Sequence, residues 1–380
     1  MILLKKLFRF TAVLILLCIA VNVFSLYSHA EPGVSAASAV LMERSSRHVL
    51  LDVNARTRMP MASTTKIMTA LTALENCDEL SRVIHIPKEA VGIEGSSIYL
   101  KTGEPLTMEQ LLYALLLESA NDAAAAIAIA IAGDIPAFAD LMNKTAARLG
   151  LTDTHFTNPH GLDDEDHYTT AYDLALLACC AMDNPDFARI AGTYKVTIPL
   201  NGDEGTRVLI NHNKLLKSYS GASGVKTGYT KRCGRCLVSA AERDGVSMIA
   251  VTLNAPDDWR DHTAMLDYGF SLYESVPLAQ VGEFRYEIPV LGGTAGSVWL
   301  TNTESLSVTL PRSHGEISVT AEANHYLCAP VCAGDMHGTL IFRCDGKILG
   351  TLPLLAENGS EAIPTKTSAA DRLKEMLRIP

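Results

Sequence analysis

Met61-Ala-Ser-Thr-Thr-Lys-Ile-Met-Thr69 opens an amphipathic pattern in which Ile67, Leu71 and Leu74 recur at i, i+4 and i+7. That spacing predicts a helix over 63–76. Two polar residues at its start carry chemistry. Ser63 and Lys66 stand at i and i+3 on one helix face, so the amine can approach the hydroxyl. Ser63 also sits near the positive end of the helix dipole, which favours negative charge developing on its oxygen. A serine is a weak nucleophile until a base takes its proton. A partly buried lysine, its pKa lowered by desolvation and nearby cations, is such a base. The tetrapeptide alone is weak, because Ser223-Gly-Val-Lys226 repeats it. That copy lies in a Gly-rich, strand-like segment, where residues i and i+3 point to opposite faces.

Two further elements stand downstream. Ser119-Ala-Asn121 falls between two apolar helical stretches, where a short connection can project a hydroxyl and an amide into a cleft. Position alone favours a simpler reading, in which either residue caps the next helix. Lys226-Thr-Gly228 offers a fixed positive charge for a carboxylate, a hydroxyl from Thr227, and a glycine that lets a ligand approach the backbone. A second Lys-Thr-Gly, Lys101 to Gly103, runs into Glu104-Pro105 and reads as a turn before a helix. The Lys226 copy leads instead to an apolar strand.

Around these elements the chain alternates strands and helices. Strands are expected on either side of a turn at Glu43-Arg44-Ser45-Ser46, and at 208–210, 237–240 and 248–253. Thr107 and Gln110 form a capping box for a helix ending near Glu118. An alanine-rich helix follows from Asp122 to about Ala132, stopped by Gly133, another from Thr170 to Met182, and one from about Trp259 to Gly269. After Val276 helical periodicity stops, and short alternating runs at 297–300, 305–310 and 316–320 are separated by Gly, Pro and Asn. This reads as a small β domain over 276–358, following a catalytic domain over 31–275. A polar linker and a short helix over 359–380 close the chain.

The 380 residues carry a net charge of −10, with no basic run outside the first ten, which argues against a nucleic-acid partner. Lys5, Lys6 and Arg9 precede an apolar run from Phe10 to Leu26, and Ser28-His-Ala30 supplies small residues at −3 and −1. Residues 1–30 therefore read as a secretion signal, with a retained anchor as the alternative. The protein is expected to be exported and to act at the cell wall or the outer face of the membrane. Eight cysteines remain beyond the signal. Cys233-Gly-Arg-Cys236 has redox or half-zinc spacing, but no second such pair completes a four-ligand site, so no metal is expected. There is no HExxH, GxSxG or GxxxxGK[ST] signature.

Taken in order, Ser63-Thr-Thr-Lys66, Ser119-Ala-Asn121 and Lys226-Thr-Gly228 resemble the motifs of the serine penicillin-recognising enzymes. More closely, the chain resembles the D-alanyl-D-alanine carboxypeptidases, the low-molecular-mass penicillin-binding proteins. Glu94-Gly-Ser-Ser97, Glu118-Ser-Ala-Asn-Asp-Ala123, Asn158-Pro-His-Gly-Leu162 and Val225-Lys-Thr-Gly-Tyr-Thr230 extend the likeness, which is strong over about 35–275. The resemblance implies an α/β (α+β) domain of serine β-lactamase/transpeptidase type, an antiparallel sheet flanked by helices, followed by a small all-β domain. It implies Ser63 as acylated nucleophile, Lys66 as its base, and Ser119 with Asn121 lining the cleft. Lys226, Thr227 and Gly228 would receive the substrate carboxylate, with Arg260 as the assisting arginine and a surface ion pair as its alternative. The N–H of Ser63 and one beyond Gly228 would form the oxyanion hole. The implied reaction removes the terminal D-alanine from peptidoglycan stem pentapeptides, needs no cofactor, and is blocked by β-lactams.

Two departures stand out: the middle residue of Ser119-Ala-Asn121, and the cysteines after the lysine strand, which raise the expectation of sensitivity to oxidation. A β-lactamase of the same fold is the rival. Its Glu-x-x-Leu-Asn stretch is missing between Asn121 and Lys226, and the β domain also argues against it. A non-catalytic wall-binding protein would not need the intact Ser63 and Lys66. The mixed-charge helix over 371–380 presents too small an apolar face for more than weak membrane contact.

Overall fold

Ala39-Val40-Leu41-Met42 is apolar without alternation, the pattern of a strand covered on both faces. In the computed structural model, which describes residues 31–201 and 205–364, the strand Ser38–Glu43 is buried throughout. The expected secretion signal and C-terminal helix lie outside the described residues. Ser38–Glu43 pairs antiparallel with Val49–Val53 on one side and Val246–Leu253 on the other. Gly234–Arg243 and Ala222–Thr230 complete a five-stranded antiparallel sheet. The buried Glu43 carboxylate at the end of the strand accepts hydrogen bonds from Ser45 and Ser46, backbone and side chain alike.

Alternate residues of each strand feed two cores. Val40, Met42, Val238, Ile249 and Val251 face the larger helical layer. Ala39, Leu41, Leu237, Met248 and Ala250 pack under the helix Asp258–Leu272. The larger layer contains the helices Lys66–Glu75, Met108–Leu117, Asn121–Ala132, Ile135–Arg148, Ala171–Asp183 and Pro185–Gly192. Most follow the expected boundaries. Thr107 and Gln110 make both bonds of the capping box, at 3.2 and 2.8 Å, and Thr170 caps the helix beginning at Ala171. The helix Ile135–Arg148 was not anticipated beyond Gly133; Asp134 starts it by accepting from the Ala137 N–H at 2.7 Å.

The helix expected over 63–76 differs at its start. A single 3-10 turn, Ala62–Thr65, precedes the α-helix Lys66–Glu75. Ala62 has φ +48°, and Gly161 (φ +85°) lies against its carbonyl so closely that a Cβ there would sit 2.0 Å from the oxygen. The tighter turn follows from that packing, and it leaves Ser63 just ahead of the α-helix.

Contacts divide the chain after Tyr273. The second unit has a six-stranded sheet, in the order Ile317–Ala323, Met336–Cys344, Lys347–Ala356, Ser297–Thr301, Arg285–Leu291 and Leu327–Cys328. Leu306–Pro311 pairs separately with Tyr273–Ala279. Val298, Leu300, Leu340, Phe342 and Leu354 fill its own core. An antiparallel sheet flanked by helices and a C-terminal all-β domain are thus both present.

Candidate active site

Lys66 is the first residue of its α-helix and is fully buried. Its Nζ meets three oxygens: Ser63 Oγ at 3.0 Å, Asn121 Oδ1 at 2.7 Å and the His160 carbonyl at 2.6 Å. Burial, then the positive charge of Lys226, holds its pKa well below the ordinary lysine value, while Asp122 opposes the shift. A neutral amine has two protons and a lone pair. Asn121 Oδ1 and the His160 carbonyl can only accept, so they take the two protons. The lone pair is left for the proton of Ser63.

The three partners come from distant parts of the chain, and each is fixed by its own surroundings. Asn158 Oδ1 accepts from the N–H groups of His160 and Gly161, and the Pro159 carbonyl accepts from Thr69 at 2.6 Å. This loop therefore clamps both ends of the first helical turns. The His160 and His167 imidazoles are pushed down to about 3 and about 4, chiefly by burial, so both are neutral near pH 7. His167 Nε2 lies 2.7 Å from Thr65 Oγ1.

Asn121 is the first residue of its helix, but its side chain makes no capping bond. Its amide donates to the Glu94 carbonyl, and its own N–H donates to the Ser96 carbonyl at 2.7 Å. Asp122 accepts from Ser97 Oγ at 2.6 Å and from the Leu100 N–H at 3.0 Å. Those bonds draw Glu94-Gly-Ser-Ser97 across the helix start. Ser119, just upstream, has φ +61°, a left-handed conformation uncommon outside glycine, and lines the cleft. The capping alternative for Asn121 gives way to a direct bond with Lys66.

The far wall is the strand Ala222–Thr230. Lys226 is buried, donates to the Thr227 carbonyl at 2.9 Å, and is lowered to about 7 by burial, with Glu118 opposing. Thr227 and Gly228 line a cleft of about 330 Å³ together with Ser63 and Ser119. A Cβ on Gly228 would lie 3.2 Å from the Met61 carbonyl and from the Ser63 and Thr64 nitrogens. Glycine is what lets this strand lie against the nucleophile's turn.

The structure does not bring Arg260 to the cleft. Its side chain is 81% exposed and stands 3.8 Å from Asp257, one helical turn away, in the surface ion pair that was the alternative reading. Arg235, on the neighbouring strand, lines the cleft instead. It donates through Nη2 to buried Asp258 at 2.7 Å and stands 5.8 Å from the centre of the Trp259 ring. Its Nε is buried and has no hydrogen-bond partner among the described residues. Arg235, Asp258 and the His160 carbonyl were missed in the sequence; only the stretch around His160 stood out there, with no role attached. Among the described residues no group of three or more His, Cys, Asp or Glu could hold a metal ion.

Residues 26–257 match the family described as D-alanyl-D-alanine carboxypeptidase, and 273–362 match the penicillin-binding protein 5 C-terminal domain. The chain is 34% identical to D-alanyl-D-alanine carboxypeptidase DacF of Bacillus subtilis, over 86% of each chain. It is 31% identical to DacC of Escherichia coli, covering 87% of this chain and 85% of that one. Among solved structures, penicillin-binding protein 5 of Haemophilus influenzae is 27% identical with a TM-score of 0.64, covering 87% of this chain and 99% of that one. The DD-transpeptidase of Streptomyces K15 is 34% identical with a TM-score of 0.61, covering 64% of this chain and all of its own.

Proposed function

The chain belongs to the D-alanyl-D-alanine carboxypeptidase family, and from that premise we propose that it is an exported serine peptidase removing the terminal D-alanine of peptidoglycan stem pentapeptides. The observation that carries this reading is the buried Lys66 amine within 3.0 Å of Ser63 Oγ, with its other two positions occupied by oxygens that can only accept. Lys66 takes the Ser63 proton as the oxygen attacks the carbonyl between the two D-alanines. The Ser63 N–H and one beyond Gly228 receive the oxyanion, and that stabilisation is a large part of the rate. Ser119 relays that proton from Lys66 to the leaving amine, so its own hydroxyl is restored and Lys66 is neutral again. D-Alanine departs, leaving an acyl-enzyme on Ser63, and water then attacks that ester with Lys66 again as base. A β-lactam acylates the same serine and leaves slowly.

In this reading the substrate carboxylate is held by Lys226, Thr227 and the guanidinium of Arg235, which lines the cleft with Thr227. Arg260 has no part in binding. The test uses residues 31–380 and a purified stem pentapeptide. The intact chain is expected to release D-alanine and to be labelled covalently by a fluorescent penicillin, and Ser63→Ala to do neither. Folded intact protein that releases no D-alanine would overturn the proposal. Arg235→Gln should raise KM about tenfold, the size of one charge-assisted bond, while Arg260→Gln leaves KM within about twofold. The reverse pattern would restore Arg260 as the anchor.

A further inference from the structure

Asp122 follows Asn121 on the chain and is 1% exposed, yet no step of the reaction above uses it. Four donors converge on its carboxylate. Oδ2 accepts from Ser97 Oγ at 2.6 Å and from the Leu100 N–H at 3.0 Å. Oδ1 accepts from the Ala123 N–H at 2.9 Å and from the Ile98 N–H at 3.4 Å. Ser97 Oγ in turn accepts from the Tyr99 N–H at 2.9 Å. The donors of one short segment, 97–100, are thus gathered around a single carboxylate, as backbone nests gather around an anion. The segment needs such an anchor. Tyr99 has φ +57°, a left-handed conformation, and its side chain is 83% exposed, so packing of that ring does not hold it there.

Just upstream, the same loop meets Asn121. The Glu94 carbonyl accepts from the Asn121 amide, and the Ser96 carbonyl accepts from its backbone N–H at 2.7 Å. A Cβ on Gly95 would lie 2.8 Å from Asn121 Nδ2, so glycine is what lets the loop come this close. A carbonyl can only accept, so Glu94 fixes which way the amide faces: Nδ2 toward the loop, Oδ1 toward Lys66. The reverse orientation would aim an N–H at the Lys66 amine, take up its lone pair and leave Ser63 without a base. We infer that Asp122 is a positioning residue for acylation: it anchors the loop 94–100, which turns the Asn121 amide so that the Lys66 lone pair is left for Ser63. The inference rests on the reading of Lys66 as the base. The Asp122 charge has a second effect on the same amine. Burial and Lys226 push the Lys66 pKa down, and Asp122 opposes them; a base lowered too far accepts a proton poorly. The other ionisable groups that face Lys66 are His160 and His167, both neutral near pH 7.

The test measures the rate of acylation by a fluorescent penicillin against pH, and hydrogen exchange over 94–100, in residues 31–380 and two variants. Ser97→Ala keeps the Asp122 charge and removes one bond to it. Its acylation should slow about tenfold, the size of one charge-assisted bond, with the acid limb of the profile in place. Asp122→Asn keeps the shape and removes the charge. Its acylation should slow about 10²-fold, the lower end of what a general base contributes. Its acid limb should move to lower pH, because the force that raises Lys66 is gone. A merely structural role would slow the reaction and leave that limb where it was. Exchange over 94–100 should rise in both variants. Acylation within twofold of the intact chain in folded Asp122→Asn would overturn the inference, as would an acid limb that stays or moves to higher pH. If Asp122→Asn does not fold, Ser97→Ala decides: acylation unchanged, or slowed with 94–100 exchanging as before, would overturn it. Acylation and exchange are both read without release of D-alanine. An intact chain that is acylated but releases none would therefore strike the functional reading and not the role of Asp122.

Discussion

At the scale of single residues the site depends on two lysines that need opposite charge states. Lys66 must be neutral to take a proton, and Lys226 must be charged to hold a carboxylate. Both are buried, and the charge of Lys226 is one of the forces lowering Lys66. As pH rises Lys66 loses its proton and the rate climbs; above about 7 Lys226 loses its charge and binding weakens. The kcat/KM profile should therefore be bell-shaped, with its alkaline limb starting near 7. Lys226→Met should lower kcat/KM by about 10²-fold, within the range of a lost charged contact in a dry site. Without the neighbouring charge Lys66 holds its proton more tightly, so the acid limb should move to higher pH. An acid limb that stays in place in Lys226→Met would show that the two amines are not coupled. Ser63 and Lys66 were legible because one helical turn joins them. Asn121 was singled out as a cleft residue, but its bond to Lys66 was not, because the two meet across 55 residues of chain and its position alone looks like a helix cap. Arg235 was hidden differently: the cysteines on either side of it drew attention to sulfur chemistry, while Arg260 stood on a helix with nothing in the sequence to mark it as exposed.

At the scale of elements, the catalytic turn is shaped by what packs on it. The loop 158–162 supplies the His160 carbonyl to Lys66 and lays Gly161 on the Ala62 carbonyl. Gly161→Ala combines a left-handed φ with a backbone collision at 2.0 Å. It should cost about 2–4 kcal/mol of stability and most of the acylation rate. Gly150→Ala is the matched control. Gly150 also has a positive φ (+74°) but open space around it, so its cost should be about 1 kcal/mol with acylation unchanged. Thermal melting and penicillin labelling separate the two. If both variants lose equal stability, backbone strain alone accounts for Gly161 and the packing argument fails. The helices with strong starts, such as the one capped by Thr107 and Gln110, were readable from their first residues. The 3-10 turn was not, because its cause lies about a hundred residues downstream.

At the scale of the molecule, the cleft and the residues assigned to it all precede Tyr273, and each unit has its own core. A chain ending after Val276 should fold and keep kcat/KM on a soluble stem peptide within about twofold, since the cost of removing a separate core falls on that core alone. A fall of tenfold or more would show that the β unit takes part in the reaction. The change of texture near Val276 made the second unit visible in the sequence; the order of its strands was not, because alternation gives faces and not partners. The pairing of Ser38–Glu43 with Val246–Leu253 has a consequence in time. The sheet's inner strand is made among the first residues and its partner about 200 residues later, which at roughly 5–20 residues per second is a wait of tens of seconds. Until then the apolar strand has one edge unclosed, and Ser63 has no finished cleft to work in. Penicillin labelling of chains arrested at increasing lengths should therefore switch on in a single step once the helix Asp258–Leu272 has emerged, so that the drug reads out the completion of the sheet and its cover.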